Sequence, residues 1–187
     1  SCFSFSKITK PNIKGFHFHD VHVLYRFLWI YNERLRDKEV KNKVVVAVCG
    51  GFDPIHVGHI KHFREAKKLG DILVVMLNTD NWLIKKKGYI FMTFEERKEI
   101  IESIRYVDKV TPVIDTNGSV AKTLEKLKPN IFAKGGDRTI DNIPKSEINV
   151  CERLGIKIVF SVGGGKVQSS SWLIDKMRRG EKRKSRD

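Results

Sequence analysis

The sequence is short of cysteine, long apolar runs and secretion signals, and each shortage excludes a class of protein. Its three cysteines, Cys2, Cys49 and Cys151, are odd in number and far apart, which suits neither a disulfide framework nor a CxxC metal pair. The most apolar early stretch, residues 21–31, contains a histidine and an arginine and is far shorter than the roughly 20 apolar residues of a transmembrane helix. No signal peptide is visible, so we expect a cytoplasmic protein in a reducing compartment.

Negative charge is also scarce. The chain has 36 basic and 22 acidic residues, for a formal net charge of +14. Residues 175–187 hold seven basic and three acidic residues, so the rest of the chain keeps an excess of ten positive charges. Such a field attracts anions, which include phosphorylated small molecules and nucleic acids. The absence of an RNA-binding signature with stacking aromatics disfavours a nucleic-acid-binding module.

Hydrophobic patterning divides the chain into an N-terminal extension (1–43) with a helix over about 20–38, an α/β domain (44–175) and a basic C-terminal tail (176–187). In the α/β domain, continuous β-branched runs alternate with helical patterns. This alternation predicts a Rossmann-like, doubly wound parallel five-stranded sheet with helices on both faces. Ligands of such sheets bind beyond the carboxyl ends of the strands. The predicted strands are 43–50, 71–79, 109–114, 131–136 and 156–162.

Glycines are expected at two connections in this domain. Gly70 is predicted to end the helix that follows the first strand as a C-cap. Lys85, Lys86 and Lys87, followed by Gly88, are predicted to form a basic loop after the second strand.

The string GGFDPIHVGH (residues 50–59) follows the first strand and precedes a helix. Gly50 and Gly51 let the backbone approach a phosphate closely. His56 and His59 are three residues apart at a helix start, so they face the same way, and the helix N-terminus adds N–H groups and partial positive charge. A lone histidine is more often structural, but the placement of the whole string favours a donor cluster for phosphate oxygens. No GxGxxG dinucleotide fingerprint follows this strand.

With these residues the chain resembles the HxGH nucleotidyltransferase superfamily, in particular cytidylyltransferases of the glycerol-3-phosphate type and adenylyltransferases of the heptose-phosphate type. The resemblance covers about residues 44–175 and is densest at GFD, HVGHIK, AKKLGD, NTD and IRYVD. It implies transfer of CMP or AMP from a nucleoside triphosphate to a small phosphorylated acceptor, with release of pyrophosphate. IRYVD and the lysine-rich loop favour CTP, whereas KGGD (134–137) favours ATP. We also expect Mg²⁺ carried by the triphosphate, no protein metal site and a homodimer.

The resemblance implies catalytic roles for three side chains. His56 and His59 would contact triphosphate oxygens and stabilise the charge that builds at the α-phosphate. Lys86, with Lys85 and Lys87 as alternatives, would contact the triphosphate or the phosphate of the acceptor.

The resemblance also implies that Arg105 of IRYVD and Asp80 of NTD bind the acceptor. Arg97 also matches the family, although on a helix face it fits a solvated charge equally well.

A second signature, GGGKVQSSSW (163–172), resembles the family loop whose Ser/Thr residues cap the last helix and bind the β- and γ-phosphates. The arginine that begins this loop in the glycerol-3-phosphate type is missing, and Lys166 stands as its substitute. The missing arginine leaves open a nucleotide-binding protein without catalysis. The predicted nucleotide-binding residues are Gly51, Phe52, Asp53, Gly58, Lys134, Gly135, Gly136, Asp137, Lys166, Gln168, Ser169, Ser170 and Ser171.

Overall fold

The computed structural model describes residues 43–136, 138–165 and 168–180. The predicted N-terminal helix, most of the basic tail, and the candidate site residues Asp137 and Lys166 lie outside these residues. Among the residues described, no helix is long and apolar enough to cross a membrane.

Five parallel strands form one sheet, which confirms the predicted fold class. They are β1 (Val45–Gly50), β2 (Ile72–Leu77), β3 (Lys109–Pro112), β4 (Ile131–Gly135) and β5 (Lys157–Val162). Their spatial order is β3-β2-β1-β4-β5, so the chain leaves β1 towards one edge and later returns to its other side. The order reverses between β1 and β4, where a doubly wound sheet binds its ligands.

Among the described residues, six α-helices connect or follow these strands. They are α1 (Val57–Lys67), α2 (Asp80–Lys87), α3 (Phe94–Glu102), α4 (Ala121–Leu127), α5 (Lys145–Leu154) and α6 (Ser170–Arg178). A short 3₁₀ turn, Ile140–Asn142, precedes α5.

Alternation of side chains along the buried strands creates a core on each face of the sheet. On one face, Val46 and Val48 of β1 pack in the same cluster as Phe63 of α1 and Ile101 of α3. On the other face, Ala47 of β1 belongs to a cluster with Leu124 of α4, Phe132 of β4 and Cys151 of α5. The continuous β-branched run in β1 is thus explained, because both of its faces are covered.

Gly70 has a different role from the predicted C-cap. Helix α1 ends at Lys67, with right-handed Lys68 as its C-cap, and Gly70 is not among the residues with positive φ. A Cβ on Gly70 would lie 2.6 Å from the Val44 carbonyl oxygen. Glycine therefore stands here because the connection passes tightly against the start of β1.

The predicted basic loop is the last turn of a helix, so this prediction was wrong. Thr79 is the N-cap of α2 and its hydroxyl accepts a hydrogen bond from the Trp82 N–H at 3.4 Å, while Gly88 ends the helix in the left-handed conformation with φ 80°. A cap residue and a terminal glycine were both visible in the sequence. The short, charged segment between them carries little apolar periodicity, which is why its helix was missed.

Candidate functional site

A cavity of about 650 Å³ opens at the carboxyl edge of the sheet. The ends of β1, β4 and β5 and the starts of α1 and α6 contribute to its lining. Most of the residues predicted for the site lie here, as the doubly wound topology requires. The predicted residues that line it are His56, His59, Lys86, Gly51, Phe52, Gly58, Lys134, Gly135, Gly136, Gln168, Ser169, Ser170 and Ser171.

The two signature histidines form a stacked pair at the start of α1. His56 is the N-cap, and its Nδ1 accepts a hydrogen bond from the Gly58 N–H at 3.1 Å. The His56 N–H in turn donates to Nδ1 of His59 at 3.3 Å, and the two rings lie 3.7 Å apart, centroid to centroid. Because each Nδ1 accepts, the proton of each neutral ring sits on Nε2. The helix cap thereby fixes two Nε2–H donors.

Burial keeps both rings neutral. Burial, followed by the positive charge of Lys87, lowers the pKa of His56. Burial, and then the neighbouring His56, His62 and Lys87, lowers the pKa of His59 to about 3. Nε2 of His56 is buried and has no hydrogen-bond partner among the described residues. A buried donor without an acceptor costs roughly 1–3 kcal/mol, so a ligand oxygen at this atom would relieve a strained arrangement.

The start of α6 is hydrogen-bonded to the loop between β1 and α1. Ser169 is its N-cap and accepts a hydrogen bond from the Trp172 N–H at 3.3 Å, which confirms the predicted helix start. The Ser170 hydroxyl donates to the Pro54 carbonyl at 2.8 Å. Two helix N-termini thus meet at the pocket, and each presents partial positive charge to an anion.

Of the three lysines at the end of α2, only Lys86 and Lys87 line the pocket. Lys87 Nζ donates to the Asp53 carbonyl at 2.8 Å, whereas Lys86 Nζ lies 4.4 Å from the centre of the Trp82 ring. Burial and the positive charge of Arg138 lower the pKa of Lys86. Lys86 and Arg138 are thus two cations that repel each other in a shared cavity, an arrangement that an anion would stabilise. Arg138 was missed in the sequence because it stands outside the KGGD string.

Lys134 is held by a carboxylate inside the pocket. Its Nζ lies 2.6 Å from Oε2 of Glu147, whose Oε1 accepts a hydrogen bond from the Val120 N–H at 3.2 Å. Lys134 was predicted to bind the nucleotide, but in this structure its positive charge is paired with Glu147. Burial raises the pKa of the neighbouring Cys49 thiol to about 12, so this thiol is protonated at neutral pH and is not a nucleophile.

Two predicted contact residues hold the backbone instead of lining the pocket. Asp53 is fully buried, and its carboxylate accepts hydrogen bonds from the N–H groups of Phe91 and Met92, each at 2.8 Å. Asp80 accepts from the Phe94 N–H at 3.1 Å and pairs with a guanidinium. Both residues belong to family strings, but in this structure they fix loops at the edge of the site.

That guanidinium belongs to Arg97, which is only 1% exposed, so the solvated alternative was wrong. It donates to the carbonyl oxygens of Gly51 at 2.7 Å and Asn78 at 2.9 Å from one nitrogen, and to Met92 at 3.1 Å from Nε. Its remaining nitrogen lies 2.6 Å from Oδ1 of Asp80. Arg97 thus joins the ends of β1 and β2 to the start of α2.

The structure does not bring Arg105 to the cavity. This residue is exposed, donates to the Tyr106 hydroxyl at 2.8 Å, and precedes β3, which begins at Lys109. It therefore lies towards the amino ends of the parallel strands, whereas the cavity lies at their carboxyl ends. The spacing in the sequence already contained this information, because Arg105 comes before a strand and the other candidates follow one.

Arg97→Ala should lower the free energy of unfolding by about 3–5 kcal/mol, because it removes a buried guanidinium on which a half-buried carboxylate and three carbonyls depend. The matched variant Arg105→Ala removes an exposed guanidinium and should change this free energy by less than about 0.5 kcal/mol. Urea unfolding of both variants measures the difference. Equal effects of the two substitutions would contradict the network assigned to Arg97.

The low pKa of His59 predicts that acid destabilises the fold. In the unfolded chain this histidine titrates near 6.5, and in the folded chain near 3. Between these values the unfolded chain binds more protons, so the free energy of unfolding falls as the pH falls through this window. His59→Asn keeps an acceptor near Nδ1 but removes the titration. Urea unfolding from pH 7 to 5 should show a smaller decline for the variant, and parallel declines would contradict the assignment.

Two known proteins match more than half of this chain. The chain is 35% identical over 139 residues to the bifunctional protein HldE of Citrifermentans bemidjiense, a match that covers 73% of this chain but 28% of that relative. It is 41% identical over 101 residues to an FAD synthase of Pyrococcus abyssi, which covers 53% of this chain and 67% of the synthase. This chain therefore spans less than a third of the length of HldE.

A solved structure and a family model extend the match over the whole sheet. The crystal structure of the lipopolysaccharide core biosynthesis protein from Thermoplasma volcanium GSS1 superposes with a TM-score of 0.52 at 30% sequence identity, covering 64% of this chain and 95% of that chain. The model of the cytidylyltransferase-like family matches residues 47–179, from β1 to the end of α6. The resemblance drawn from the sequence is confirmed, and the chain belongs to the cytidylyltransferase-like family.

Proposed function

We propose that this chain is a nucleotidyltransferase that transfers a nucleoside monophosphate from ATP or CTP to a small phosphorylated acceptor and releases pyrophosphate. The observation that carries the proposal is the buried, unpartnered Nε2–H of His56, whose ring is stacked on that of His59 with its own protonated Nε2. Two preorganised donors in a partly desolvated pocket suit oxygen atoms that gain negative charge in a transition state. The family match supports the same reaction class.

The triphosphate would lie across the two helix starts. Its α-phosphate oxygens would accept hydrogen bonds from His56 and His59, and its outer phosphates would meet the N–H groups at the start of α6, beside Ser169 and Ser170. Lys166, outside the described residues, is proposed to add positive charge there. These groups hold the α-phosphorus still and exposed to attack, which is how phosphoryl transfer is accelerated without a side-chain nucleophile.

The acceptor would lie beside Lys86 and Arg138, which line the same cavity. Their mutual repulsion is relieved by the phosphate of the acceptor, which they would hold near the α-phosphorus. An oxygen of this phosphate forms a bond to the α-phosphorus while the bond from the α-phosphorus to the bridging oxygen of pyrophosphate breaks. The electron pair leaves with pyrophosphate, so atoms and charge balance.

A divalent metal would come with the nucleotide. The part of the chain that the structure describes contains no group of three or more His, Cys, Asp or Glu side chains that could hold a metal ion, and the one carboxylate lining the cavity, Glu147, is paired with Lys134. We propose that Mg²⁺ is held by phosphate oxygens and water, and that it neutralises part of the charge on the triphosphate.

Among the donors, the relative named an FAD synthase favours ATP, because its product contains an adenine nucleotide. CTP stays an alternative on the strength of IRYVD and the lysines of α2. A homodimer and a cytoplasmic location stay predictions from the sequence.

His56→Ala and His59→Ala should each lower turnover by about 10²–10³, because each removes one preorganised donor to the developing charge. The assay supplies the full chain with ATP or CTP, Mg²⁺ and a panel of phosphorylated sugars, polyols and mononucleotides, and measures pyrophosphate. Exposed Lys126 on α4 offers a matched control, and Lys126→Ala should retain the wild-type rate.

Dephosphorylated versions of each acceptor form the second arm of this assay, and they should give no product because Lys86 and Arg138 would have no anion to hold. Near-full activity of either histidine variant would overturn the role given to the pair. Nucleotide binding by the wild type without pyrophosphate from any acceptor would indicate the non-catalytic alternative instead.

A further inference from the structure

A third histidine of α1 faces the same cavity and has no role in the reaction described so far. His62 lies three residues after His59, hence on the same side of the helix, and it lines the cavity. Its Nδ1 lies 2.8 Å from the carbonyl oxygen of Val162 at the end of β5. A carbonyl oxygen only accepts hydrogen bonds, so the ring carries its proton on Nδ1 and a lone pair on Nε2.

The orientation of His62 is thus opposite to that of the signature pair. His56 and His59 accept at Nδ1 and donate from Nε2, whereas His62 donates from Nδ1 and accepts at Nε2. Burial lowers the pKa of His62 more strongly than its hydrogen bond to Val162 raises it. The ring is therefore neutral at neutral pH, and Nε2 stays an acceptor.

Glycines at the ends of β4 and β5 hold this ring in place. A Cβ on Gly135 would lie 2.9 Å from Nδ1 of His62, and a Cβ on Gly163 would lie 3.0 Å from its Cα. Any larger residue at either position would displace the histidine. Gly136 and Gly164, which follow these two glycines, also line the cavity and add only backbone to it. The four glycines thus form a wall of backbone beside His62, which suits a flat ligand group.

The position of this wall relative to the histidine pair indicates which part of a nucleotide reaches it. The helix starts of α1 and α6 gather the donors and positive ends that suit phosphates. The wall formed by Gly135, Gly136, Gly163 and Gly164 lies one helical turn further along α1, beside His62. A nucleotide whose phosphates lie on the helix starts therefore directs its base to the glycine wall.

We propose that Nε2 of His62 accepts a hydrogen bond from the exocyclic amino group of the nucleotide base and thereby selects adenine or cytosine. Adenine and cytosine carry an amino donor at C6 and C4, whereas hypoxanthine and uracil carry a carbonyl acceptor at the same positions. A carbonyl would place its lone pairs against that of Nε2. The inference rests on the proposed function, because it assumes that a nucleoside triphosphate occupies this cavity.

Two substitutions separate the atoms of the ring. His62→Asn places an amide near Nδ1, which can still donate to Val162, but it removes the acceptor at Nε2. His62→Gln places its amide near Nε2 and gives up the bond to Val162. The measurement is the dissociation constant of ATP, ITP, CTP and UTP for the full-length wild type and both variants, by calorimetry. Each pair differs at the position in question and shares its triphosphate, so ratios within a pair report on the base alone.

The wild type should bind ATP more tightly than ITP, or CTP more tightly than UTP, by about tenfold, the effect of one hydrogen bond whose loss leaves a buried group unpaired. His62→Asn should reduce this ratio to near one and leave binding of ITP or UTP unchanged, while His62→Gln should retain part of the ratio. If His62→Asn keeps the full ratio, or if only His62→Gln disturbs it, the ring has a structural role and the inference is wrong.

The proposed function fails in a different way. In that case the wild type binds none of the four triphosphates at a site sensitive to His56→Ala, and the inference about His62 falls with it. Tight binding of all four triphosphates with equal affinity would leave the proposed function standing and overturn the selection by His62 alone.

Discussion

The buried guanidinium of Arg97 is the constraint on which the geometry of the pocket depends. Its donors satisfy the last carbonyls of two neighbouring strand ends, at Gly51 and Asn78, and a third carbonyl at Met92. No hydrophobic contact could hold these three polar groups at the edge of the sheet, because each would be left without a partner in the interior. A planar group with five N–H donors is suited to this position and a lysine is not.

Asp53 complements this network from the opposite side. Its carboxylate holds the segment of Phe91 and Met92, and Arg97 holds the same segment through the Met92 carbonyl. Asp53 itself lies in the segment from Gly51 to His56, which leads directly to the N-cap of α1. Phe52 then packs edge-on against His59, with 5.0 Å between the ring centres. The histidine pair is therefore positioned by buried polar groups before any ligand arrives, which is the condition for electrostatic catalysis.

The polarity of the cavity depends on which ring nitrogen of each histidine carries the proton, as well as on the charged side chains. Three histidines on one helix face are all neutral, yet two present donors and one presents an acceptor. Lys86 and Lys87 supply positive charge, and that of Lys87 further disfavours protonation of His56 and His59. A site of this kind holds an anion without presenting a cation at every contact, and it keeps one acceptor available for a group that is not an anion.

The fold and the site residues at the helix starts could be predicted from the sequence. Buried β-branched runs predicted five parallel strands, and the spacing of His56 and His59 predicted a pair at one helix end. The same strings do not distinguish a carboxylate that binds a ligand from one that accepts distant backbone N–H groups, as Asp53 does 38 and 39 residues away and Asp80 does 14 residues away. His62 and Arg138 were missed because each stands one residue after a family string, HVGHIK and KGGD respectively.

The role of the histidine pair is tested most directly by a crystal structure of the full chain with a non-hydrolysable triphosphate analogue and Mg²⁺. Phosphate oxygens should lie within about 3.2 Å of Nε2 of both His56 and His59, with the outer phosphates at the start of α6. The base should lie against the glycine wall at the ends of β4 and β5. A triphosphate bound away from both histidine rings, or at the amino edge of the sheet near Arg105, would contradict the role of the pair.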